Sequence, residues 1–149
     1  MATNLCRNTY NKGFTLIELL VVIAIIGLLA SVVLASLNSA RAKGADAAIR
    51  SSLNNARAQA ELYYDGNSNS YASVCTTTST SNPGILAMHD GAADVAGGAG
   101  FVACGSSATE WAMKARLVSD PTQYYCVDSS GDSTIVTGGY SDTAVTACP

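Results

Sequence analysis

The chain has 149 residues, 48% of them hydrophobic, with 8 Lys/Arg against 11 Asp/Glu. That length supplies one domain of ordinary size. An acidic balance argues against general nucleic-acid binding, which needs cations to neutralise phosphates. The single histidine, His89, and the lack of any GxSxG, HExxH or Walker pattern leave no enzyme constellation to build on.

The chain opens with a short polar segment carrying Arg7 and Lys12, then turns strongly apolar from residue 19 to residue 37. Glu18 is the last charge before a run of 22 uncharged residues, 19–40. Roughly 20 apolar residues cross a bilayer as a helix. An acid at that depth costs on the order of 2.5–3.5 kcal/mol on insertion scales, which makes Glu18 a functional candidate. The competing reading is an acid near the end of an ordinary anchor, reaching back to the interface.

The wider string GFTLIELLVVIAIIGLLASVVL, from Gly13 onward, resembles the amino-terminal signature of type IV pilins and pseudopilins. The resemblance covers the leader and the apolar helix. It implies that residues 1–13 are a prepilin leader, cut after Gly13 by a membrane-embedded prepilin peptidase that methylates the new Phe14 amine. An ordinary secretory signal differs, because there the apolar segment is the part removed. Glu18 takes the place of the family acid that neutralises the terminal amine of a neighbouring subunit during assembly. A buried carboxylate is tolerable when a cation pairs with it. One departure stands out: many pilins carry Pro about eight residues beyond the position of Gly27, and here that position is Ala35.

Beyond the apolar run, Ala45, Ala48, Ile49, Ser52, Leu53, Ala56, Ala60 and Tyr63 recur at roughly helical period. The helix is expected to continue to about Tyr64 and stop at Asp65-Gly66-Asn67. Arg41, Lys43, Arg50 and Arg57 fall on it, whereas from Ala58 onward only Lys114 and Arg116 face nine acids. The basic group reads as a solvated face or an inter-subunit contact, with anionic lipid as an alternative. Residues 65–84 read as a polar surface loop, residues 85–95 as a short helix and 96–100 as a flexible link. Alternation over 111–117 predicts a half-buried strand. Residues 124–128 and 133–137 predict two more, joined by a turn at 129–132. The expected fold is α+β: a long N-terminal helix, half membrane-spanning and half head-packed, with a small three-stranded antiparallel sheet. This is also the architecture the resemblance implies. Its parts are a leader at 1–13, a membrane or filament-core helix at 14–40, an amphipathic continuation at 41–64 and a head at 65–149.

Of five cysteines, Cys6 lies in the leader, and Cys75, Cys104, Cys126 and Cys148 remain. Four cysteines in an exported domain imply two disulfides and allow three connectivities. Pairing Cys75 with Cys104 and Cys126 with Cys148 is favoured, because each then closes a local loop without crossing the other. A C-terminal disulfide loop is also common in the family. A zinc site is disfavoured by the absence of any CxxC pair. Asp128, Asp132 and Asp142 supply carboxylates for calcium, but at no EF-hand spacing, and ordinary turn chemistry is preferred. The Ser/Thr run around Cys75 reads as plain polar loop before O-glycosylation.

These readings point to a non-enzymatic structural subunit of a type IV pilus-like filament, without cofactor or metal. Its partners would be copies of itself, the prepilin peptidase, an assembly platform and motor, and the membrane before assembly; no specific nucleic acid is expected. It would be a single-pass protein of the inner membrane, then part of an extracellular or periplasmic filament. A type II secretion pseudopilin or minor pilin is the nearer alternative. A non-polymerising membrane-anchored binding domain is the more distant one.

Overall fold

No proline stands between residues 14 and 82, so nothing in the sequence removes a backbone donor across that stretch. The computed structural model, which describes residues 13–138 and 146–149, accordingly forms one 51-residue helix, α1, Leu16–Gly66. By contacts the chain divides into two units, Met1–Asn38 and Ser39–Pro149. In the first unit every described residue is exposed, including Leu20, Ile26, Leu29 and Val33. By length and composition α1 can cross a membrane, and none of its apolar window is buried.

In the second unit α1 buries Asp46, Ile49, Leu53, Ala56, Ala60 and Tyr63. Their steps of three and four residues keep them on one stripe. The helix stops where the sequence predicts: Asn67 and Asn69 both donate backbone N–H groups to the Tyr64 carbonyl, at 3.1 and 3.0 Å. The Asn82 side chain donates to the Tyr63 carbonyl at 3.3 Å, satisfying another of the acceptors a helix end leaves open. Ser68 and Asn69 turn the chain with φ of 56° and 58°.

A second helix, α2, Leu86–Ala96, ends on Gly97 at φ 101°, where the N–H groups of Gly97 and Gly98 both reach the Ala93 carbonyl. A 3₁₀ turn at Ala99–Phe101 leads into the sheet.

The sheet has four strands, not three: β1, Val102–Ser106; β2, Trp111–Arg116; β3, Gln123–Asp128; and β4, Ser133–Thr137. They follow one another as an antiparallel meander in the order β1-β2-β3-β4. Trp111 faces Ser106 across the first pair, and Met113 faces Val127 across the second. The α+β class stands, and the extra strand is β1, where Ala103, Cys104 and Gly105 carry little β preference of their own. Trp111, Met113, Ala115, Tyr125 and Val127 share one core with the α1 stripe, Ile85 and the inner residues of α2.

The other face of the sheet departs from simple alternation, because Ala112, Tyr124, Cys126 and Asp128 are buried too. There the carboxyl terminus is tied down through Cys126–Cys148, with the Cys148 N–H donated to Asp128 Oδ2 at 2.9 Å.

Candidate functional site

At the amino end of α1, Gly13 and Phe14 are non-helical and exposed, Phe14 to 85%. Thr15 then caps the helix. Its hydroxyl accepts the Glu18 N–H at 3.2 Å, while Glu18 Oε2 accepts the Thr15 N–H at 2.9 Å and the Thr15 hydroxyl at 2.7 Å. This reciprocal arrangement is a capping box, which satisfies otherwise orphaned donors at a helix start. One oxygen takes both donors, so Oε1 is left without a partner among the described residues. Glu18 can therefore hold the helix start and still offer a carboxylate oxygen to a cation. The box is legible as Thr-x-x-Glu, a signal the reading above passes over in favour of the acid alone.

Residues 8–34 match the family described as the prokaryotic N-terminal methylation motif. The chain is also 50% identical over 62 residues to the type IV wide pilus major component PilA4 of Thermus thermophilus. The amino-terminal segment carries this methylation motif and is similar to the matching part of a type IV pilin. The aligned region is 42% of this chain and 47% of PilA4, so the chain spans about half the length of the curated relative it matches. No solved structure matches the chain.

The pilin-like chain carries its other candidate residues in the head. Cys75 is bonded to Cys104, joining the loop after α1 to β1, and Cys126 is bonded to Cys148. Around the first link, the Tyr71 N–H reaches the Ala108 carbonyl at 3.0 Å and the Ile85 N–H reaches the Val74 carbonyl at 2.9 Å. These bonds lace the polar 67–84 loop to its neighbours.

Asp128 is buried, and both of its oxygens are in use. Oδ1 accepts from the Ser130 N–H, the Ser130 hydroxyl and the Asp132 N–H, at 3.0, 2.6 and 3.2 Å, and Oδ2 accepts from Cys148. Burial pushes this carboxyl up, but the donors from Ser130, Cys148 and Asp132 outweigh it and hold it below its ordinary value. Such a carboxylate is already engaged by the turn it sits in and by Cys148. No group of three metal-ligating side chains occurs among the described residues, and Asp142 lies outside them.

Two further acids matter. Asp46, buried on α1, accepts the Val118 and Ser119 N–H groups at 2.6 and 3.2 Å and also the Ser119 hydroxyl. Glu61 accepts the Tyr71 hydroxyl at 2.9 Å. Burial first, then this bond and the Glu61 charge, raise the Tyr71 hydroxyl to about 12. The Asp46 contacts were not foreseeable locally, because Asp46 and its partners are 72 and 73 residues apart. Among the described residues, the His89 side chain pairs with its neighbour Asp90, at 3.0 Å.

Proposed function

We propose that the chain is a structural subunit of a type IV pilus-like filament, cut after Gly13 by a prepilin peptidase, methylated on the Phe14 amine and polymerised through the apolar half of α1. The observation that carries this reading is the repeated exposure of large apolar side chains from Phe14 along α1 to Leu37. Soluble monomers rarely leave contiguous apolar patches of more than a few hundred Å² in water. Lipid would cover that surface first, in a single-pass state in the cytoplasmic membrane, and neighbouring copies would cover it afterwards, in a periplasmic or extracellular filament.

Association of helices inside lipid gains little, since lipid tails are as apolar as leucine. An assembly platform and motor would therefore supply work. The Glu18 carboxylate, through its open oxygen, would pair with the Phe14 amine of an adjacent copy, coupling cleavage to assembly. In this scheme residues 14–40 form the filament core, residues 41–64 carry the head, and residues 65–149 make the surface. The family is structural, and no chemistry of its own is assigned to the head. Likeness to a relative named as a major pilus component favours an abundant subunit over a minor pilin or a secretion pseudopilin.

The intact mass of the chain sheared from cells tests this. Loss of residues 1–13, gain of one methyl group and loss of four hydrogens is the expected result. A processed chain confined to membranes would transfer the assignment to a minor pilin or a pseudopilin. An uncut chain would remove the basis of the proposal.

A further inference from the structure

In sequence, Arg41, Lys43, Arg50 and Arg57 form one basic group, but the fold divides it. Arg50 lies over the Tyr125 ring, 5.2 Å from its centre, and Arg57 donates to the Gly131 carbonyl at 2.6 Å. Asn54 and Glu61, on the same flank of α1, accept the Tyr125 and Tyr71 hydroxyls at 3.2 and 2.9 Å. Steps of three and four residues along 50, 54, 57 and 61 thus make a polar stripe committed to the head.

The Arg41 and Lys43 side chains remain exposed and make no ion pair or hydrogen bond among the described residues. The nearest acid on the helix, Asp46, is fully engaged by Val118 and Ser119 and neutralises neither cation. At about 100° per residue, two positions apart place Arg41 and Lys43 on nearly opposite flanks of α1, only about 3 Å apart along its axis. In sequence they follow the apolar run directly, with Asn38, Ser39 and Ala40 between.

We propose that Arg41 and Lys43 form a cationic collar that takes anionic lipid headgroups at the membrane surface where α1 emerges. This inference rests on the membrane-anchored stage of the proposed function. A single docked partner meets one flank of a helix, whereas charges on opposite flanks at one level suit a plane that the helix crosses. Long aliphatic stems let both side chains lie along apolar surface while their charged heads reach the phosphates. The collar would hold the subunit at a fixed depth before extraction, and lipid would have to be released from it on assembly. Each cation near an anionic surface strengthens lipid association by up to about fivefold.

The test uses the full chain in phosphatidylcholine vesicles with and without roughly 30 mol% phosphatidylglycerol, a composition that makes the surface anionic. Flotation with the vesicles is scored first. Spin-labelled phosphatidylglycerol and phosphatidylcholine then report which lipid is held at the protein. The wild-type chain should prefer phosphatidylglycerol severalfold, and the double variant R41Q/K43Q should lose at least half of that preference. About 1 M salt should suppress it in the wild type by screening. Arg7 and Lys12 are common to both chains and cancel in the comparison. The variant R50Q should retain the wild-type preference, because its guanidinium is turned to Tyr125.

A chain that does not float with vesicles removes the membrane reading itself. A floating chain whose preference is absent, or survives in R41Q/K43Q, overturns the collar alone. A wild-type chain without lipid preference that instead self-associates through these cations would assign them to a neighbouring copy.

Discussion

Glu18 caps the helix start and, in the proposed filament, supplies the charge for pairing, and one substitution separates the two. Glutamine keeps the capping box, since its carbonyl still accepts from Thr15, but it removes the charge. Glu18→Gln should therefore leave the helix start intact and abolish filaments in sheared fractions, while Thr15→Val should weaken the cap by about 1 kcal/mol and leave filaments countable. Normal filament numbers in Glu18→Gln would reduce the residue to a cap. In the head, Asp46→Ala strands two backbone donors and should cost roughly 2–4 kcal/mol, read by denaturant unfolding of the detergent-solubilised chain. Trp111, the one tryptophan and fully buried, supplies the fluorescence signal.

Asp128 makes stability pH-dependent in a definite direction. Its folded value lies below the ordinary 3.8, so its contribution is complete above that value and is lost as pH falls through the depressed one. Thermal midpoints of wild type and Asp128→Asn should converge in acid and separate toward neutrality. Of these residues the sequence exposes Thr15 and Glu18, which act within one turn. Asp46 and Asp128 draw on donors that only the folded chain brings near.

At the scale of elements, α1, α2 and three strands were readable, because periodicity and turn residues report on local structure. Strand β1 was not. Its Ala-Cys-Gly centre lacks β-branched bulk, and its pairing with β2 is what makes it a strand. Nor was the polar stripe of Arg50, Asn54, Arg57 and Glu61, since charged side chains on a helix read as solvated until the surface they contact is known. The loop between α1 and α2 reads in sequence as a polar surface loop, and it is closely fitted at one point. A Cβ on Gly84 would collide with the Val74 carbonyl oxygen, which the loop cannot easily move because it accepts the Ile85 N–H. Gly84→Ala should accordingly destabilise the head by about 1–3 kcal/mol in the same unfolding assay. Replacing Cys75 and Cys104 together with serine should cost roughly 3 kcal/mol, the loop-closure value for a segment of that size.

For the whole molecule, the amino-terminal segment was the most legible part, because the methylation motif and the long apolar run are written in consecutive residues. The head is legible as a fold and nearly silent as a function, since its contacts serve its own packing. One of its features nevertheless has a mechanical consequence. In the proposed filament, tension would pull on the subunits, and the two disulfides would decide how much chain each head can pay out. They bridge 29 and 22 residue steps, each with its Cα atoms held 5.8 Å apart. At about 3.3–3.6 Å per extended residue, the oxidised head withholds roughly 160–170 Å of contour length that the reduced head would release. In a single-molecule pulling experiment, reducing agent should lengthen each unfolding step by about that amount. In the proposed fibre the cross-links would thus act as stops, limiting a strained subunit to partial extension from which it can refold.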